Sequence, residues 1–214
     1  MISSICRKTA EALGKELDAN NDQVEVYAYA LEILLGTTLK LVLIILLATI
    51  FDILITTLIF LFTLAIFRWL GGGVHLSTYL RCLLVGLSLV LGMGYVSSLE
   101  VDRLYIVCLF LLSLLVAIYV IVKWVPAGTD KKKVTEIEKR FRQKWESIYA
   151  LLIWSIGGIA CIYGNLYSYA FAAILGSLFS SFLMMPAGYY VIGNLDNMLA
   201  VYNAPHCQDT KPKF

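Results

Sequence analysis

Charge is scarce in this chain, and its scarcity excludes an ordinary soluble domain. Only 15% of the 214 residues are Asp, Glu, Lys or Arg, whereas 60% are hydrophobic, and the mean hydropathy is +0.80. Soluble domains contain about 25% charged and about 45–50% apolar residues. A protein of this size cannot bury so much apolar surface in its own core, so lipid must solvate it. No strongly basic domain is present, which argues against a nucleic-acid partner.

Patterns that bind metals or form disulfide frameworks are missing as well. The chain has five cysteines, an odd number that cannot all pair with one another. They are widely spaced, and none belongs to a C-x-x-C pair. The chain also lacks the H-E-x-x-H sequence of zinc metalloproteases. We therefore expect neither a metal nor another cofactor. One of the two histidines, His206, adjoins Cys207 on a polar tail, where the pair is poorly held for catalysis.

Long apolar runs predict an all-α, polytopic membrane helical bundle. The run from Ile33 to Trp69 is too long for one span, since a single helix would extend about 55 Å against a hydrocarbon core of about 30 Å. We therefore divide it into two spans near Asp52. The connection between these two spans is very short, so five spans remain an alternative to six. The six predicted spans are residues 30–51, 53–69, 82–98, 104–125, 148–163 and 167–192.

Residues 1–21 are predicted to form an amphipathic helix that lies on the membrane. A solvated helix packed on a cytoplasmic loop is the alternative. The apolar face at helical spacing comprises Ile2, Ile5, Cys6, Thr9, Leu13 and Leu17. Asp22 and Glu25 resemble a capping box at the start of the next helix. The whole chain, 1–214, is predicted to be a single membrane domain. Its parts are the helix 1–21, the bundle 22–192 with a cytoplasmic loop at 126–146, and a cytoplasmic tail at 193–214.

Lysine and arginine are distributed unevenly between the two sides of the predicted bundle. In membrane proteins these residues concentrate on the cytoplasmic side. With six spans, one side receives only Arg103, whereas the other collects the basic residues of both termini and of the remaining loops. We therefore expect a multi-pass protein of the cell membrane, with both termini, the glycine-rich segment and the basic loop facing the cytoplasm.

A glycine-rich polar segment between the second and third spans holds the candidate catalytic pair. His75 and Cys82 lie seven residues apart there. A cysteine protease needs a thiolate nucleophile and an imidazole that promotes its formation and transfers the proton. On an unbroken helix the two residues would be separated by about 10.5 Å along the axis and could not meet. We therefore expect a non-helical or re-entrant segment, with Cys82 near the start of the third span, where a helix N-terminus favours negative charge.

Neighbouring residues are candidates for supporting roles. Gly71, Gly72 and Gly73 would let the backbone approach a substrate and present amides to a developing oxyanion. Arg68 and Arg81 would stabilise the thiolate or hold a substrate carboxylate. By spacing alone, however, a histidine near a cysteine is more often a polar boundary residue beside a packing thiol.

The central loop carries a second candidate site. Lys131, Lys132 and Lys133 would form a docking patch for an acidic precursor tail, or they would only mark topology on a solvated loop. Both interpretations stay open on the residues alone.

The pattern Arg68-x6-His75-x6-Cys82, with glycine before the histidine and hydrophobic spans around it, resembles the accessory gene regulator B (AgrB) family. The length, the span count, Pro126 and the lysine-rich central loop match as well. Carried over residue by residue, the resemblance makes Cys82 the nucleophile and His75 the general base and acid. It places Arg68 and Gly73 in support of the site. This chain departs from the family pattern in its run of three glycines ahead of the histidine.

The resemblance implies a membrane-embedded cysteine endopeptidase of Gram-positive quorum sensing. Its expected partners are membrane lipids and an AgrD-like propeptide, from which it would remove the C-terminal part. A thioester acyl-enzyme would form and pass its acyl group to a cysteine within the peptide. The product would be a thiolactone, the cyclic autoinducing peptide.

A non-catalytic small membrane transporter or signalling scaffold is the alternative function. Lys40 and the glycine-rich segment would then line a polar path, and Cys82 would only pack. Pairing as a homodimer is compatible with either function, because small helical bundles often bury polar helix faces by association.

Overall fold

The computed structural model describes residues 2–17, 19–72, 76, 78–125 and 137–202, and these residues contain helices but no strand. The all-α prediction is therefore confirmed. The helices are α1 (Ile2–Glu16), α2 (Asn21–Ile50), α3 (Leu54–Gly71), α4 (Tyr79–Ser98), α5 (Arg103–Trp124), α6 (Ile137–Tyr163), α7 (Tyr167–Met184) and α8 (Pro186–Tyr202).

Six helices, α2 to α7, are long and apolar enough to cross a membrane. In α6 the candidate span is Arg140–Tyr163, so the charged first turn of this helix precedes the apolar part. The prediction of about six spans is confirmed, and the chain is a multi-pass membrane protein. The helices divide between two compact units, residues 1–47 and 48–214.

In the first unit, α1 buries a narrow stripe formed by Cys6, Ala10 and Gly14, which recur every four residues. Gly14 lies against Val24 near the start of α2, where a larger side chain would collide. Of the predicted apolar face, Cys6 belongs to this stripe. The large apolar side chains of that face that are exposed are Ile5, Leu13 and Leu17.

A capping box opens α2 two residues before the predicted one. The backbone N–H of Gln23 donates to Asn20 Oδ1, and the N–H of Asn20 donates to Gln23 Oε1, each at 2.9 Å. These bonds satisfy backbone donors that have no partner inside the helix. The predicted box at Asp22 and Glu25 is wrong, because Asp22 already lies in the first turn, where the positive end of the helix favours its carboxylate.

A tight turn separates α2 from α3 at the predicted position. Asp52 has a φ of 56°, a left-handed conformation that aspartate and asparagine tolerate better than most residues. The N–H of Ile53 donates to the Ala48 carbonyl at 2.9 Å, and that of Asp52 donates to the Thr49 carbonyl at 3.2 Å. This Schellman motif satisfies the last carbonyls of the helix. The division of the long apolar run near Asp52 is thus confirmed.

The second unit is built around α7, which packs against α3, α4, α5, α6 and α8. Small residues permit close approach: Gly176 touches the backbone of α3 at Phe60, where a side chain would not fit. A buried cluster joins the ends of α3, α5 and α7 to α6 on the side of the glycine-rich segment. Its members are Phe67, Ala117, Val120, Ile121, Val125, Leu151 and Met184.

The sequence predicted one span from Tyr167 to Ile192, and this prediction is wrong. The helix α7 ends at Met184, and Pro186 begins α8. Proline cannot donate to the preceding turn, but its fixed φ suits the first position of a new helix. The new helix runs through residues 193–202, which were predicted to belong to the tail; residues 203–214 lie outside the described part.

The predicted loop 126–146 is partly helical. Residues 137–146 form the start of α6, which continues into the span without a break. An ion pair between Arg142 and Glu146 at 2.7 Å, one helical turn apart, accompanies this extension. The part of the loop at 126–136, with the three lysines, lies outside the described residues.

Candidate active site

The helix break that the sequence predicts lies between α3 and α4. The helix α3 ends at Gly71, and Gly72 follows with a φ of 83°, which favours glycine. Thr78 is extended, and α4 begins at Tyr79. No continuous helix therefore links Gly72 to Cys82. His75 and Gly73 lie outside the described residues.

Cys82 lies in the first turn of α4. Its backbone N–H donates to the Thr78 carbonyl at 3.0 Å, the first hydrogen bond of the helix. Cys82 belongs to no disulfide bond, and it is half-buried. The positive end of the helix dipole favours an anion at this position, and a thiolate is the anion that a nucleophilic cysteine needs. The predicted place of Cys82, near the start of the third span, is what the structure shows.

The last turn of α3 brings a cation to Cys82. Arg68 is half-buried there, and its charge acts on Cys82 and on Tyr189 of α8. Tyr79, at the start of α4, also interacts electrostatically with Cys82. The end of α3 and the start of α4 therefore each contribute a polar group that interacts with Cys82, and Tyr189 of α8 interacts with the first of these groups, Arg68.

Arg81 has a partner that the sequence did not indicate. Its Nη1 donates to Asp196 Oδ1 at 3.1 Å and to the Asp196 carbonyl at 3.3 Å. The two side chains are only 15% and 20% exposed. The structure therefore ties Arg81 to α8, whereas the sequence suggested a contact with the thiolate or with a substrate carboxylate.

The glycines of the run differ in their surroundings. Gly71 is buried against the side chains of Met184 and Val125, so that a side chain at this position would require the thioether end of Met184 to move. This packing explains a glycine at 71 without any role in catalysis. Gly72, in contrast, has the positive φ and is only half-buried, so it is the described glycine whose conformation suits close approach of a substrate.

The end of the second unit that carries Cys82 also holds an aromatic ladder. Phe141, Trp145 and Tyr149 follow one another at four-residue spacing along the start of α6, and all three are exposed. On the same helix, Lys144 donates to the Val122 carbonyl at the end of α5 at 3.0 Å. Exposed aromatic residues beside lysine and arginine are typical of a membrane–water boundary.

Sequence reasoning missed Tyr189 and Asp196, because both lie in a segment predicted to be the end of a span and a tail. Two signals were available. Pro186 stands at a favourable position to begin a helix, and Gly188 follows two residues later, where a tight reversal needs a small residue. Neither signal indicates which residues the new helix would face.

These features define a class of protein: an α-helical membrane protein whose described residues include six candidate spans. A half-buried cysteine lies in the first turn of one span, and an arginine at the end of the preceding span interacts with it electrostatically. The family model described as Accessory gene regulator B matches residues 6–184. The match covers most of the chain, and the chain belongs to the AgrB family.

Two relatives from one species agree with this assignment. The chain is 26% identical to "Putative AgrB-like protein 2" of Clostridium perfringens (strain 13 / Type A) over 186 residues, which cover 84% of this chain and 87% of that protein. It is 25% identical to "Putative AgrB-like protein" of Clostridium perfringens (strain SM101 / Type A) over 158 residues, covering 72% and 74%. No solved structure matches. The family membership supports a role in processing a quorum-sensing propeptide.

Proposed function

We propose that the protein is a cysteine endopeptidase that removes the C-terminal part of an AgrD-like propeptide, with Cys82 as nucleophile and His75 as general base and acid. The observation that carries the proposal is the position of Cys82. It lies in the first turn of a helix, and Arg68 acts on it from the end of the preceding span. Both features bring positive charge toward the sulfur, as a nucleophilic cysteine requires.

The first half of the reaction forms an acyl-enzyme. His75 takes the proton of the Cys82 thiol, and the sulfur attacks the scissile carbonyl carbon to give a tetrahedral oxyanion. Amides of the glycine-rich segment, with Gly72 and Gly73 as candidates, would donate to that oxygen. When the intermediate collapses, the C–N bond breaks, and the departing amine takes the proton back from His75. The C-terminal fragment leaves, and a thioester remains on Cys82.

The second half transfers the acyl group within the peptide. The thiol of a cysteine in the propeptide attacks the thioester carbonyl, so that a thiolactone forms and the Cys82 thiol is released. No water is consumed, and water must be kept out to preserve the activated acyl group. The site is only partly accessible, since Cys82 and Arg68 are both half-buried. Release of the cut fragment would help to drive a thioester exchange that is nearly balanced.

The supporting residues are proposals of the same kind. Arg68 would stabilise the thiolate, and Lys131, Lys132 and Lys133 would dock acidic residues of the propeptide. We further propose that the site and both termini face the cytoplasm, as the distribution of lysine and arginine predicts. Reporter fusions at each loop test this orientation, and an external reporter signal at the 126–136 loop would contradict it.

Substitution of each member of the pair tests the proposal. Cys82→Ala and His75→Ala are each expected to abolish cleavage of a co-expressed AgrD-type propeptide while leaving membrane insertion intact. Cys108→Ala is the matched control, because that exposed cysteine lies on α5 away from the glycine-rich segment. Cleavage that persists in either of the first two variants would remove the dyad from the mechanism.

The alternative of a non-catalytic transporter or scaffold makes a different prediction for the thiol. An activated Cys82 reacts with N-ethylmaleimide near neutral pH faster than Cys108 does, although Cys108 is the more exposed of the two. Equal or slower labelling of Cys82, measured for each cysteine by mass spectrometry, would favour the scaffold.

A further inference from the structure

The carboxylate of Asp196 reaches the first turn of α4 from α8. Arg81 and Asp196 are 115 residues apart in sequence, yet two hydrogen bonds from one guanidinium nitrogen join them, at 3.1 Å and 3.3 Å. Their side chains are 15% and 20% exposed. Because water reaches them so little, the pair is screened less than an ion pair on an open surface.

The start of α4 lacks a negative charge of its own. Its first turn contains no acidic residue, and the N-cap Thr78 makes no side-chain capping bond. Arg81 adds a cation at the end of the helix where the dipole favours an anion. Asp196 therefore supplies from another helix the charge that this turn needs. Cys82 is the next residue after Arg81, so the same turn carries the thiol.

The helix α8 meets the region of the site at a second point. Tyr189 interacts electrostatically with Arg68 at the end of α3. Tyr189 and Asp196 are seven residues apart and both half-buried, so they share one face of α8. Hydrogen bonds join this face to the first turn of α4 through Arg81, and a charge interaction links it to Arg68 in the last turn of α3. These are the two helix ends that flank the glycine-rich segment.

We propose that Asp196 is a positioning residue for the Cys82 site. Through Arg81 it holds the first turn of α4, and with it the thiol, in the orientation that meets the scissile carbonyl. It acts through another residue and does not touch the reacting atoms. The proposal rests on the proposed function, since it concerns the orientation of the nucleophile in that reaction.

The test uses the full chain in proteoliposomes with an AgrD-type propeptide. Asp196→Asn removes the charge of the side chain and keeps its shape. We expect this variant to lower kcat about tenfold and to change KM less than about twofold, because a nucleophile displaced by about 1 Å loses rate rather than substrate binding. The reversed pair Arg81→Asp with Asp196→Arg rebuilds the ion pair and is expected to recover most of that loss. Asp102→Asn, an exposed carboxylate before α5 without a capping bond, is the control and should leave kcat unchanged.

Labelling of individual cysteines with N-ethylmaleimide separates positioning from loss of the fold. Asp196→Asn removes a negative charge near Cys82, so alkylation of Cys82 should not slow although cleavage does. The half-buried Cys161 should keep its wild-type labelling rate. Three results would each overturn the proposal. Asp196→Asn could cleave at the wild-type rate, the reversed pair could fail to recover activity, or cleavage could be lost together with faster labelling of Cys161. If Cys82→Ala still cleaves, the proposed function itself fails, and this inference fails with it.

Discussion

At the scale of single residues, Arg68 and Arg81 flank the glycine-rich segment but have different surroundings. Arg81 forms an ion pair with Asp196, whereas the charge of Arg68 acts on Cys82 and Tyr189. A carboxylate at 3.1 Å offsets most of the field that Arg81 would exert on a nearby thiolate. Of the two arginines, Arg68 is therefore the better candidate for supporting the nucleophile.

Neutralising Arg68 should accordingly slow the reaction. We expect Arg68→Gln to lower kcat/KM for propeptide cleavage about 10- to 100-fold, which corresponds to about 1.4–2.7 kcal/mol of lost transition-state stabilisation. Arg68→Lys should lie between this variant and the wild type, because it keeps the charge but loses the planar fork. Arg142→Gln is the control: its side chain is 81% exposed and belongs to the surface of α6. Equal activity of Arg68→Gln and Arg142→Gln would contradict a role for Arg68 at the site.

At the scale of helices, α8 is the element that the sequence did not reveal. Its start depends on a sharp reversal after α7, in which the N–H of Met185 donates to the Phe182 carbonyl at 3.1 Å. Gly188 then lies against the backbone of Phe182 and Leu183, where no Cβ can be accommodated without a shift. The position of Tyr189 and Asp196 over the site therefore depends on this glycine.

Two glycine substitutions in α8 form a matched pair. Gly188→Ala should lower the free energy of unfolding by about 1–3 kcal/mol, because its methyl group meets backbone that cannot move aside easily. Gly193→Ala has open space around its Cβ and should raise the free energy of unfolding by about 0.5–1 kcal/mol through helix propensity. Thermal unfolding in detergent measures both. Equal changes in the two variants would show that α8 does not pack on α7 as described.

The elements differ in how far the sequence could predict them. The spans and the turn at Asp52 follow from local rules, namely the length of apolar runs and the tolerance of aspartate for a left-handed backbone. The break before Cys82 also follows from a local rule, because glycine readily adopts backbone conformations that end a helix. The contact of Arg81 with Asp196 could not be predicted, because it depends on the direction in which α8 returns. Because the residues up to Ile192 are mostly apolar, the start of α8 was assigned to the predicted span 167–192.

At the scale of the whole molecule, the second unit places the ends of α3, α5 and α7 together with the starts of α4 and α6. The contacts of Gly71 with Met184 and Val125, and that of Lys144 with Val122, fix this arrangement. An alternating bundle brings alternate helix ends to one side of the membrane, so the glycine-rich segment and the central loop belong to the same side. This is the side that we propose faces the cytoplasm. Pairing as a homodimer stays a prediction.

The central claim is that Cys82 carries the acyl group during processing, and trapping that intermediate tests it most directly. The purified chain is mixed briefly with an AgrD-type propeptide, quenched in acid and digested, and its cysteine peptides are weighed by mass spectrometry. We expect an acyl adduct on the peptide that contains Cys82, which hydroxylamine removes and which Cys82→Ala lacks. Product formation without any adduct on Cys82, or an adduct on another cysteine, would contradict it.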